Sequence, residues 1–328
     1  MSAIAEFGRA TVPPASMAGA AAFVAAVFAS TVALPLATYT TAVALFGLSH
    51  VLSELNYVDR RFSARLAPRL LPRIGLPILA AVSAQAAAML GLVSAAVAVT
   101  VELLAAAALA IGVAGEMRRH RAAGAAIGMA LAVGAVAAPF PLLLGLALLH
   151  NLTPLGFFAE ALRGEQRRRA LALLAVPLIV LPLVIASGLP TAALARLGLV
   201  LPEARLLASG PLTLNLGIFV PPGLIATGWA IPIFSAAVFA QLMHYAAVIV
   251  LLPRLPVATP ARTLLPWPRR RLLPALIAAA AGLAFAFVLD YGAARQVYGI
   301  VAQIHAWVEI PILLLALGGL AAAQSSHA

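Results

Sequence analysis

Residues 227–254 read TGWAIPIFSAAVFAQLMHYAAVIVLLPR. No carboxylate or arginine interrupts the stretch before Arg254, and its interior polar groups, Ser235, Gln241 and the neighbours His244 and Tyr245, are set among Ala, Val, Ile, Leu, Met and Phe. A helix on the surface of a soluble domain carries a polar stripe, whereas one that is apolar all round is buried in protein or in lipid. At a rise of about 1.5 Å per residue, the run 227–252 covers about 39 Å, enough to cross a hydrocarbon core of about 30 Å. It reads as a membrane span.

Nine further apolar runs have the same character, at 17–35, 37–57, 75–95, 98–115, 123–138, 140–161, 170–188, 273–290 and 298–321. The expected fold is all-α, a polytopic transmembrane helix bundle of about ten spans that makes one integral membrane domain over residues 1–328. Composition agrees: of 328 residues 64% are hydrophobic and 9% charged, and the mean hydropathy is +1.07, which leaves no room for a sizeable soluble domain. All basic side chains are arginine and none is lysine, which excludes a Schiff-base lysine; cysteine is also absent, which excludes disulfides, thiolate metal sites and a thiol nucleophile.

The net charge of +11 does not mark a nucleic-acid binder, because the arginines sit in short segments between apolar runs. Seventeen of the 21 follow the second, fourth, sixth and eighth runs; Arg9 joins them on that side, and Arg196, Arg205 and Arg295 fall on the other. The positive-inside rule then places both termini in the cytoplasm of a multi-pass protein of the bacterial inner membrane, with the lipid bilayer as its main partner. Glu6 beside Arg9, and the lack of a small-residue cleavage site, make the first run an uncleaved span. Residues 189–226 read as a non-cytoplasmic interfacial loop. Residues 253–271 read as a basic, proline-rich cytoplasmic loop with an interfacial Trp267.

Ionisable side chains inside spans are costly, and each points to function. Histidines occur in four spans: His50 in the second, His150 in the sixth, His244 in the eighth and His305 in the tenth. All four spans run in the same direction. The next arginine follows His50 by 10 residues, His150 by 13 and His244 by 10, which puts these three at one depth to within about a helical turn. The span limits set His305 about two turns nearer the outer side. Imidazole is the commonest metal ligand, and a polyhistidine site with open positions suits iron or copper. Metal ligation by His50, His150, His244 and His305 is the expectation, with no catalytic group assigned.

Two of these histidines have a glutamate four residues later, His50 with Glu54 and His305 with Glu309, so each pair shares a helix face. Such carboxylates hold an imidazole N–H or relay protons. Gln241, Asn151 and Tyr245 add polar contacts at the same layer. Glu102 and Asp290 lie near the outer ends of the fourth and ninth spans and read as interfacial anchors; His120 reads as a loop residue and His327 as part of a frayed terminus.

His50-Val51-Leu52-Ser53-Glu54 and His305-Ala306-Trp307-Val308-Glu309, with His150 and His244 between them in the same order, resemble the Brp/Blh family of membrane β-carotene dioxygenases. The resemblance covers four short patches, and His244 precedes Tyr245 where that family doubles the histidine. It implies four histidine ligands to a non-haem iron(II) and oxygen-dependent cleavage of a carotenoid-like apolar small molecule entering from the bilayer. Two other readings stay open on the residues themselves: a haem/quinone electron-transfer protein with axial histidine pairs, and a proton-coupled transporter using the His/Glu pairs and proline-broken spans. The residues do not specify an oligomeric state.

Overall fold

The computed structural model describes residues 14–63, 66, 68–255, 263–265, 267 and 271–319, with only the backbone for 14–16. Arg9, Arg65, Arg262, Arg269, Arg270 and His327, and with them most of the proline-rich loop, lie outside the described residues. Every regular element among the described residues is a helix. In chain order these are α1 Pro14–Ala33, α2 Pro35–Phe62, α3 Leu70–Met89, α4 Ala95–Ala114, α5 Arg121–Ala137, α6 Pro139–His150, α7 Thr153–Ala161, α8 Gly164–Ala186, α9 Leu189–Arg196, α10 Leu212–Leu216, α11 Ala230–Arg254, α12 Leu272–Leu289 and α13 Tyr291–Gly318.

Each apolar run of the sequence falls on one of these helices or, for 140–161, on the pair α6–α7. By length and apolarity, seven of them can cross a membrane (α2, α3, α4, α8, α11, α12 and α13), and α6–α7, bent by 45°, makes an eighth if counted as one span. Of the two remaining runs, the first falls on α1, whose side chains are described from Met17 to Ala33, and the other on α5, a shorter apolar helix. The 17 residues of α5 reach about 26 Å, under the thickness of a typical hydrocarbon core.

The tenth run differs most from expectation. Its helix starts at Tyr291 rather than 298, because Asp290 caps it: the carboxylate accepts the backbone N–H of Ala293 at 2.9 Å, satisfying an otherwise orphaned donor of the first turn. Asp290 is thus a helix cap rather than only an interfacial anchor. His305 stands 14 residues into a 28-residue helix, so the reason for setting it nearer the outer side disappears.

The chain divides into two compact units, Met1–His50 with Ala147–Pro256 and Ile277–Ala294, and Val51–Leu146 with Val257–Leu276 and Arg295–Ala328. In the first, α11 packs against α1 and α8, and rings interlock edge to face: Phe28 with Phe239 at 5.9 Å between centroids, and Tyr39 with Phe234 at 5.6 Å. Residues 189–226 are partly ordered by this unit. Leu201 N–H donates to the Ala33 carbonyl at 2.8 Å, the Glu203 carboxylate accepts Leu212 N–H at 3.0 Å, and Asn215 donates to the Ser209 and Pro211 carbonyls.

In the second unit, α3, α4 and α5 stack in sequence through small side chains, with Ala106, Leu109, Ala110, Leu131 and Ala135 in one buried cluster. Alanine and glycine let helix backbones approach closely where lipid gives no hydrophobic drive for helices to associate. Asp59, near the end of α2, is buried and accepts three hydrogen bonds, from Leu264 N–H (2.8 Å), Leu265 N–H (2.9 Å) and the Trp267 indole N–H (2.8 Å). Leu264, Leu265 and Trp267 of the 253–271 segment are therefore clasped by a carboxylate to which the sequence alone assigns no role.

Candidate metal centre

Each histidine occupies a place that its local sequence explains. His150 ends α6 at the break before α7. Pro154 has no N–H to offer the His150 carbonyl, and the Thr153 hydroxyl donates to that carbonyl instead at 2.8 Å. Asn151, expected to support the histidines, donates to the Ala147 carbonyl at 3.3 Å and so closes the last turn of α6. His244 lies in the regular part of α11, just ahead of a π-helical turn at Ala247–Leu251 and Pro253; such turns recur at functional sites. His50 is in the middle of α2, and Nδ1 lies 3.3 Å from the Phe46 carbonyl. A carbonyl can only accept, so Nδ1 carries the hydrogen and Nε2 keeps its lone pair, the arrangement common for a metal-bound imidazole.

The rings converge. His150 and His244 have centroids 4.6 Å apart, and His50 and His244 are edge to face at 5.5 Å. Within the first unit, one ligand nitrogen from each of His50, His150 and His244 lies within 4.8 Å of those of the other two. Two nitrogens on opposite sides of a first-row metal stand about 4.2 Å apart, given bonds of about 2.1 Å. A separation of at most 4.8 Å is close to that span. His50, His244 and His305 are buried and His150 is half-buried.

The supporting residues divide. Tyr245 stacks on His50, with centroids 4.0 Å apart and planes inclined by 23°, which limits rotation of that imidazole. The Gln241 amide donates to the Tyr245 hydroxyl at 2.9 Å, so it acts on His50 through Tyr245. Glu54 and Glu309 are buried, at 1% and 2% exposure, one helical turn beyond His50 and His305. Four neutral imidazoles leave the charge of a divalent ion intact, and an all-nitrogen set suits iron, copper, zinc or nickel. Buried carboxylates are stable only beside compensating charge or donors.

One polar group departs from the sequence expectation. Glu102 is not an interfacial anchor: it is 5% exposed, and it accepts from the Gln85 amide at 2.5 Å and from the Trp307 indole N–H at 2.9 Å. A signal exists in the sequence, since Glu102 is the only charged residue in its run and Gln85 the only amide in the neighbouring one; a lone carboxylate and a lone amide in adjacent spans call for partners. Compared with family models, curated proteins and solved structures, the chain matches none.

Proposed function

We propose that this is a multi-pass inner-membrane metalloprotein of about ten spans with both termini cytoplasmic, in which His50, His150, His244 and His305 hold one iron(II) ion. The proposed activity is oxygen-dependent cleavage of a carotenoid-like apolar molecule. The convergence of the His50, His150 and His244 rings carries the metal reading; the two short patches around His50 and His305 favour the oxygenase reading. Iron in such a set supplies the one-electron chemistry by which dioxygen is activated.

The chain's own residues have separate tasks. The four imidazoles bind without neutralising the ion, and Glu54 and Glu309 bring two buried carboxylates on the same helix faces as two of the ligands, enough to balance a divalent charge. Tyr245 and the Phe46 carbonyl fix the His50 ring. A polyene already dissolved in the bilayer reaches a site among spanning helices without crossing water.

Haem suits these rings less well, because a porphyrin must lie between its two axial imidazoles, while His150 and His244 stand ring to ring at 4.6 Å. The break between α6 and α7, directly after His150, favours the proton-coupled transporter as the second reading.

Elemental analysis and an absorption spectrum on protein purified in mild detergent decide among these. The expected result is about one equivalent of iron per chain without a Soret band, with sharp loss of metal in each of the His50→Ala, His150→Ala, His244→Ala and His305→Ala variants and unchanged membrane insertion. Full metal in all four variants overturns the shared site. A Soret band moves the assignment to haem, and metal-free protein after iron re-addition moves it to the transporter.

A further inference from the structure

The group formed by Glu102, Gln85 and Trp307 is not used by the proposed function, yet it is the best-defined polar contact among three membrane-spanning helices of one compact unit. Both carboxylate oxygens of Glu102 are engaged, Oε2 by Gln85 of α3 and Oε1 by Trp307 of α13. Trp307 is buried as well, packed in the same cluster as Val99, Leu103 and Ala106 of α4. A carboxylate inside a span is retained at a cost, and here it has one visible mechanical consequence: it fixes α13 against α4.

Position along α13 gives that contact its meaning. Residues two apart on a helix point about 200° apart, so Trp307 leaves α13 on nearly the opposite side from His305, while Glu309 lies about 40° from His305 and shares its face. Pro311 has no N–H for the Trp307 carbonyl, so the backbone ladder is interrupted within the same turn. A helix loosened at that point needs a side-chain anchor to keep its rotation. An error of one residue in rotation, about 100°, would carry His305 and Glu309 off their face altogether.

We infer that Glu102 is a positioning residue for the metal centre: by holding the Trp307 indole on the back of α13, it sets the direction in which His305 points. The inference rests on the metal reading above. Gln85 has a defined part, because its amide occupies the second carboxylate oxygen and leaves Glu102 one orientation toward Trp307.

The test uses the full-length protein in detergent, loaded with cobalt(II) as a spectroscopic probe, and reads metal affinity and the visible cobalt absorption together with the thermal midpoint. In Trp307→Phe the donor is lost and the ring retained. In Glu102→Gln one oxygen becomes an amide that faces a donor. Each is expected to weaken metal binding about 10- to 100-fold, the usual range for a group acting behind a ligand, and to change the cobalt spectrum. The exchange Glu102→Gln with Gln85→Glu restores complementarity, because the amide now at position 102 can accept from Trp307 through its oxygen and donate to the new carboxylate at position 85. This double variant is expected to recover both readouts. Unchanged affinity and spectrum in Trp307→Phe and Glu102→Gln, with only a lowered thermal midpoint, would overturn the inference and leave the metal site standing. An unsubstituted protein that binds no metal overturns both.

Discussion

Helices α11 and α12 are both long apolar spans, but 72% of the most apolar window of α11 is buried within the protein against 11% of that of α12. Hydropathy does not explain the difference, since α12 is the more hydropathic of the two. What separates them is a few polar atoms. Ser235, Gln241, His244 and Tyr245 lie along α11, whereas α12 has no polar side chain between Leu272 and Leu289. Against lipid, Leu and Val are equally well placed inside or outside a bundle, so the side chains with hydrogen bonds to make decide which helix goes inward.

The comparison is tested most severely by deleting an aromatic ring on each helix. Phe239 of α11 is fully buried against Phe28, and Phe285 of α12 is 64% exposed. Phe239→Ala should cost about 3–5 kcal/mol and lower the thermal midpoint in detergent strongly, as large core truncations do, while Phe285→Ala should barely move it because lipid or detergent fills the gap. Equal losses would show that α12 is covered by protein.

Glycine substitutions give a middle-sized test with opposite signs. A Cβ on Gly128 of α5 would stand 2.5 Å from Ile111 Cγ1 and 3.1 Å from the Ala107 carbonyl oxygen, whereas one on Gly282 of α12 meets nothing within 4 Å. Gly128→Ala is expected to destabilise by about 1–3 kcal/mol. Gly282→Ala should stabilise by up to about 1 kcal/mol through helix propensity. The same thermal series measures both, and a Gly282→Ala loss would contradict an open face on α12.

The smallest effect belongs at the arginine-rich end, away from both helices. Glu116 accepts from Arg69 through Nε at 3.1 Å and Nη2 at 2.7 Å, with Arg73 at 3.3 Å. These donors, Arg69 first, hold its carboxyl below the ordinary 4.5. A carboxyl whose pKa is depressed in the folded state adds stability above its unfolded value and loses it as the pH falls through the folded value. Acidification below about 4.5 should therefore weaken the link between Arg69 and the end of α4, and Glu116→Gln should flatten that part of the curve of thermal midpoint against pH. An unchanged acid limb in the variant would assign the acid sensitivity elsewhere.

Much of this is legible in the sequence, for particular reasons. The apolar runs mark the helices because a span must satisfy its backbone internally and present apolar side chains outward. The near-equal spacing from His50, His150 and His244 to the next arginine reports depth, because helical rise is constant. The sequence sets His305 too shallow because polarity near 291–297 conceals the start of α13, although Asp290 three residues ahead of the bonded N–H of Ala293 is an ordinary capping signal. Asp59 and Glu102 are hidden for another reason. The partners of Asp59 and the Trp307 partner of Glu102 lie 205 residues or more away along the chain, and no local pattern records such a pairing; only Gln85, 17 residues from Glu102, is near enough to leave a signal.

By itself, the sequence determined that the chain is helical, that its helices are apolar enough for a bilayer, and which few side chains inside them are polar. Those are properties of composition and period, fixed residue by residue. Only the tertiary structure decided that the His50, His150 and His244 rings meet, that Gln241 serves Tyr245 rather than His244, and that Glu102 grips Trp307. Each of these depends on how neighbouring helices are rotated about their axes, and rotation is settled by packing and by the satisfaction of buried polar atoms across helices, which a single chain read in order does not contain.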